Sequence, residues 1–301
     1  MPKLRDEIGR LILIPVAALV MAGGMTAHAG PAEDALPRLK DIHRLVMDPS
    51  RTFSISATLA ELDGFERDLA GTAPDGIARG ELNYLRGFIL YRAGRTQDSL
   101  APMREALRID ALTSFLPGSE RTRALYRLAN QAEMLKQWPL AIETYRQVLP
   151  LFDADQAVTP NQRLGTRERL AFCLHEAKRF IEARQLNQEV LEGGEQLFGP
   201  ESEKLLVVIT NLAQNNYELG DFIGARAMLE RRLAIAGKHG DEARVEDSLF
   251  QLGVLAFEQG QRQEAESFMR RRLALAEKSG NAGRIAEAKD DLDILYQKLG
   301  R

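Results

Sequence analysis

The chain has 301 residues with 40 basic and 43 acidic side chains, a net charge of −3, and four histidines. Such a mild charge spread along the chain offers no basic stripe or patch, so nucleic acid is excluded as the main partner. One cysteine, Cys173, excludes an internal disulfide, and its neighbours Leu170, Ala171, Phe172 and Leu174 make it a small buried hydrophobe on a helix.

The first 29 residues differ from the rest. Lys3, Arg5 and Arg10 precede the apolar run LILIPVAALVMAGGM, and Ala27-His28-Ala29 follows. This pattern predicts a secretory signal cut after Ala29, and the run is short of the ~20 apolar residues that cross a bilayer permanently. No membrane span is expected after cleavage. A cysteine is missing from the junction, so no lipid anchor is expected either. The expected location is the periplasm or the medium.

Beyond residue 30 the apolar residues recur three and four apart, as in Leu205, Val208, Ile209 and Leu212, which is the period of an amphipathic helix. The mature chain reads as all-α. Residues 30–75 should form a divergent helical pair ending in the turn GTAPDG at 71–76. Residues 76–301 should form the main body, with Pro102 expected to kink its helix.

In that main body the small residues Gly87, Ala129, Ala171, Ala213 and Gly253 align at spacings of 42, 42, 42 and 40 residues. Ser99, Ala141, Ala183, Ala225 and Ala265 align twelve further on, and Leu107, Leu149, Leu191, Leu233 and Leu273 eight beyond those. Periods of this length mean stacked helix pairs, because one pair cannot bury its apolar face alone. Gly94, Gly220, Gly260 and Gly300 mark turns inside pairs. Polar loops at 113–119, 153–161 and 193–200 separate the first pairs, and tight turns at 237–240 and 279–281 separate the last. The count is about thirteen helices, the last from about Arg284 to Leu299.

NLAQNNYELGDFIGARAMLERRLAI (Asn211 to Ile235) resembles the tetratricopeptide repeat, and with the loop LFGPES before it, the long-period variety of kinesin light chains and many bacterial proteins. The resemblance covers about residues 80 to 300, as five repeats and a capping helix carrying Leu292, Tyr296, Leu299 and Gly300. It implies a right-handed superhelical solenoid whose first helices line a concave groove, a protein partner, and no catalysis. The groove residues it singles out are Tyr84, Phe88, Tyr126, Arg127, Asn130, Arg169, Asn211, Gln214 and Phe250. Large flat side chains bury much area at low entropic cost, and amides can hold an extended backbone. Tyr91, Tyr217 and Phe257 share a column expected to pack in the core. The carboxylate-clamp subset of the family is matched only at Asn211, so capture of a free C-terminus is not expected.

In the last two repeats Arg232 and Arg272 replace the small residue that normally precedes the column leucine. Column spacing predicts an ion pair between Arg272 and Asp293 that locks the last helix. Arg232 faces Gly253 and should turn outward to water. The doublets Asp290-Asp291 and Asp241-Glu242 read as solvated helix faces. No zinc-protease, nucleophile-elbow or phosphate-loop string occurs. His43, His175 and His239 lie on separate segments, so no metal site, cofactor or enzyme activity is expected. The sequence thus predicts an exported scaffold, with a periplasmic immunity or inhibitor protein as the alternative, and self-association through an uncapped first repeat stays open.

Overall fold

In the computed structural model, which describes residues 30–300, the described residues form thirteen α-helices and no strand. The helices are α1 (Pro31–Met47), α2 (Ile55–Asp68), α3 (Ile77–Arg92), α4 (Thr96–Thr113), α5 (Gly118–Met134), α6 (Trp138–Ala154) and α7 (Pro160–Glu176). They continue with α8 (Phe180–Phe198), α9 (Leu206–Glu218), α10 (Phe222–Lys238), α11 (Glu242–Glu258), α12 (Arg262–Ser279) and α13 (Ala282–Lys298). The expected cleavage point lies at the edge of the described residues and the signal segment outside them.

From α3 onward each helix packs on the one before and the one after, giving five antiparallel pairs and a closing helix. The small column explains the close approach within pairs. Ala129 and Ala171 are fully buried and Ala213 nearly so. At Gly87 an added Cβ would lie 3.0 Å from the backbone nitrogen of Met103.

The turn inside each pair is a Schellman closure, in which the N–H beyond the turn donates to the carbonyl five residues back. Arg95 donates to Leu90, Gln137 to Ala132, Arg179 to Leu174, Asp221 to Asn216 and Gln261 to Ala256, all at 2.8–2.9 Å. This closure needs one left-handed residue. Gly94, Gly220 and Gly260 supply it at φ +75°, but Lys136 and Lys178 adopt φ 56° and 60° in the second and third repeats. The turn geometry is conserved through the solenoid where glycine is not.

One reading of local structure changes. The loop expected at 193–200 is mostly helix, because α8 runs to Phe198. Gly193 and Gly194 sit inside it where Leu164 and Leu205 press so close that an added Cβ would meet them at 2.8 and 2.7 Å. Close packing, and not a turn, accounts for both glycines. Pro102 lies inside α4, which stays one continuous helix.

The seams between the last repeats are polar. Arg272 pairs with Asp291, with Glu287 at 3.9 Å, and its guanidinium lies 5.2 Å from the Phe250 ring centre. Asp293 is exposed and is not its partner, so the expected pair is corrected. The column places Asp293 beside the small residues of other repeats, but the long guanidinium meets Asp291, two residues earlier on a different face of α13, and approaches Glu287 one turn before that. Asp291 is therefore part of a seam, not a solvated face. Arg232 also differs from expectation, being only 7% exposed. It meets Asp247 at 2.5 Å and the Ser248 hydroxyl at 3.1 Å, and Gln251 donates to the same Asp247 carboxylate at 2.9 Å. A buried cation requires such partners.

Candidate interaction groove

The first helices α3, α5, α7, α9 and α11 carry the residues expected to face a ligand, and the structure divides those residues by position along the solenoid. At the N-terminal end the face of α3 is covered. Helix α1 packs mainly on α3 and less on α2, burying Ala35, Leu39, Ile42 and Val46 in one apolar cluster with Leu82, Leu85 and Phe88. Tyr84 is 2% exposed, with its ring 5.3 Å from that of His43 on α1. Phe88 is buried beneath the Arg127 guanidinium, 4.5 Å from its ring centre. Tyr84 and Phe88 are therefore core residues and not groove anchors, because a non-repeat helix lies over them.

His43 seals this contact. Its Nδ1 binds the buried carboxylate of Glu81 on α3, and its Nε2 lies 3.0 Å from Glu120 on α5. Burial pulls the imidazole pKa down, but the hydrogen bond and charge of Glu81, and then Glu120, outweigh it and leave the pKa above the usual histidine value.

In the middle, the polar residues expected to read a partner are occupied within the fold. Tyr145 is fully buried, and its hydroxyl donates to Glu133 at 2.6 Å, lies 2.5 Å from the Asn130 amide oxygen, and accepts from Arg169 at 2.7 Å. Arg169 also binds Glu133 at 3.0 Å. Asn130, Glu133 and Arg169 thus enclose a buried phenol whose hydroxyl must find its partners within the fold. Burial, then Glu133, holds the Tyr145 hydroxyl far above the usual tyrosine range. Tyr126 is half-buried against Tyr145 and Phe152, with ring centres 6.3 and 5.3 Å away.

At the C-terminal end the groove is open. A cavity of about 450 Å³ lies among α7, α9, α10 and α11. Ala213, Ala225, Leu229, Phe250, Val254 and Leu255 form its apolar lining, and His175, Glu176, Gln214, Tyr217, Glu218 and Gln251 its polar groups. Gln214 and Phe250 line this cavity, while Asn211 is half-buried one turn before Gln214. Tyr217, expected in the core, is 40% exposed at this cavity, and its hydroxyl donates to Glu258 at 3.0 Å. That bond to a carboxylate raises the phenol pKa. His175 Nδ1 hydrogen-bonds the side-chain amide of Asn215, 2.7 Å away.

The acids of this cavity were missed in the sequence, although their signal was present. Glu176 and Glu218 are 42 residues apart in one column, which Glu258, outside the cavity lining, continues 40 residues further on. An exposed aromatic edge runs beside them at the turns, with Phe180 5.2 Å from His175 and Phe222 5.8 Å from Tyr217, ring centre to ring centre.

Stacked antiparallel helix pairs with an open face on their first helices define an α-solenoid. Residues 123–149 and 162–238 each match a tetratricopeptide repeat family model. Similar solved structures include BtubC (BKLC) from P. vanneervenii, at 20% identity over 70% of this chain and 84% of that one, with a TM-score of 0.52. The apo form of RapI matches at 15% identity over 89% and 82%, with a TM-score of 0.55. Aspartyl phosphate phosphatase F from Bacillus subtilis matches at 14% over 88% and 69%, with a TM-score of 0.51. At these identities the likeness establishes the fold. No curated protein matches by sequence. The chain is a tetratricopeptide-repeat solenoid.

Proposed function

We propose that this chain is an exported, periplasmic, non-catalytic scaffold that binds a segment of another protein in the C-terminal half of its concave groove. The observation that carries the reading is the open cavity on α7, α9 and α11, set against the covered face of α3 at the other end. A partner side chain entering it would bury apolar surface against Phe250, Val254 and Leu229, and the amides of Gln214 and Gln251 offer both donors and acceptors to its backbone. The signal-like first 29 residues support export.

Gln214→Trp fills the cavity from an exposed position and should leave the fold intact. A partner retained by the parent chain on affinity capture and lost by the folded variant supports the groove. Equal retention by both places binding elsewhere. Export is tested separately, by fractionating cells and sequencing the N-terminus. A mature form in the periplasm beginning at Gly30 is the expected result, and an unprocessed cytoplasmic form refutes it.

A further inference from the structure

The charges of the open groove are unbalanced. Elsewhere arginines are matched to carboxylates, as in Arg226 with Glu264, Arg284 with Glu246 and Arg167 with Asp153. The cavity lining holds no lysine or arginine, and its two carboxylates, Glu176 and Glu218, take part in no ion pair or hydrogen bond within the described residues. Both are exposed, on consecutive first helices, at equivalent positions of adjacent repeats. A third unpaired acid, Glu168, lies two turns earlier on α7, at the register position that Phe250 holds on α11. It is half-buried, and burial alone raises its pKa above the usual carboxylate value.

Resting on the groove reading above, we propose that the cavity takes an apolar side chain of a partner segment in which a neighbouring residue is lysine or arginine. The apolar part seats on Leu229, Phe250 and Val254, and the cation lies at the rim beside Glu176 and Glu218. An acidic segment would bring like charges to a rim that has no internal counter-charge, which is a selection against such partners as well as for basic ones. The aromatic rings of Tyr217 and Phe222 add a face on which a guanidinium or ammonium can rest.

The test selects a random twelve-residue peptide library displayed on phage against the chain, its Glu176→Gln/Glu218→Gln double variant and Gln214→Trp. Labelled synthetic versions of the selected peptides are then measured by fluorescence anisotropy. The expected result is enrichment of a large apolar residue beside lysine or arginine, binding at least about tenfold weaker to the double variant, and a steep loss with added salt. Peptides whose apolar residue has neutral or acidic neighbours, and whose binding is lost in Gln214→Trp but kept in the double variant, overturn the cationic partner and leave the groove reading standing. Binding that Gln214→Trp does not affect, or no enrichment at all, overturns the inference, and the former overturns the groove reading with it.

Discussion

Replacing Arg272 tests how the solenoid is closed. The guanidinium side chain is 12% exposed and that of Asp291 27%, so the pair is screened less than a surface ion pair. At an effective dielectric constant near 20, opposite charges about 4 Å apart attract by roughly 4 kcal/mol. Desolvation and side-chain ordering offset more than half of this, leaving a coupling of about 1–2 kcal/mol. Arg272→Met keeps the apolar stem and loses both the ion pair and the contact with the Phe250 ring, so it should cost about 2–3 kcal/mol. Asp291→Ala should cost less than the loss of an only partner would, because Glu287 at 3.9 Å remains. Asp293→Ala, at an exposed position, should stay within about 0.5 kcal/mol. Urea unfolding of the single and double variants gives the coupling. Hydrogen exchange across α13 supplies the local readout, since a repeat array can open from its ends. Additive effects of Arg272→Met and Asp291→Ala, or a coupling between Arg272 and Asp293 as large, would refute the assignment.

His43 makes the hold of α1 pH-dependent. Its folded pKa is raised, so its contribution is fully present below the unfolded value of about 6.5 and is lost as pH rises through the folded value. Hydrogen exchange in α1 should therefore speed up above pH 6.5 more than base catalysis accounts for, and His43→Gln should abolish that excess; an unchanged excess in the variant counts against the histidine. Lys136→Gly and Lys178→Gly should each stabilise the fold by about 0.5–1 kcal/mol, because left-handed backbone strains a residue with a Cβ. Thermal melts check this, and a loss at either site would contradict the turn geometry. Tyr84→Ala should destabilise by about 3 kcal/mol, as a core aromatic and not a groove anchor; a change within about 0.5 kcal/mol in urea would show the face of α3 to be open. Cys173 is fully buried, and burial pushes its thiol up to about 12, so a disulfide reagent should label it only in denaturant.

The repeat was legible because it is written in local constraints. A small residue wherever two helices cross closely, a leucine eight residues past the second crossing and a left-handed turn between them are each imposed within one pair, so Gly87, Ala129, Ala171, Ala213 and Gly253 stand in register. What a column cannot express is a contact made by something outside the repeat. Tyr84 and Phe88 occupy the same face of their pair as residues that remain accessible in later repeats, and only the packing of α1 on α3 turns them into core. The amides and guanidiniums of the second and third repeats misled for a related reason: Asn130 and Arg169 hold positions suited to a ligand, but the Tyr145 hydroxyl needs them first.

The seam arginines show that some of the missing information was present in the spacing. Arg232 and Arg272 are 40 residues apart, as are Asp247 and Glu287, and Gln251 and Asp291. One junction is therefore built twice, each time with a buried or half-buried guanidinium facing a carboxylate on the next first helix. Both copies belong to the shortened end of the array, where tight turns replace the longer loops of earlier repeats. The carboxylates of these seams are consumed by the fold, whereas Glu168, Glu176 and Glu218 on α7 and α9 are not, although they too sit on first helices at repeat spacing or one turn or two away. An acid that recurs with the repeat and has an arginine at matching spacing stabilises a seam. Glu176 and Glu218 recur without one and line the cavity unpaired, whereas Glu258, in the same column, accepts a hydrogen bond from the Tyr217 hydroxyl.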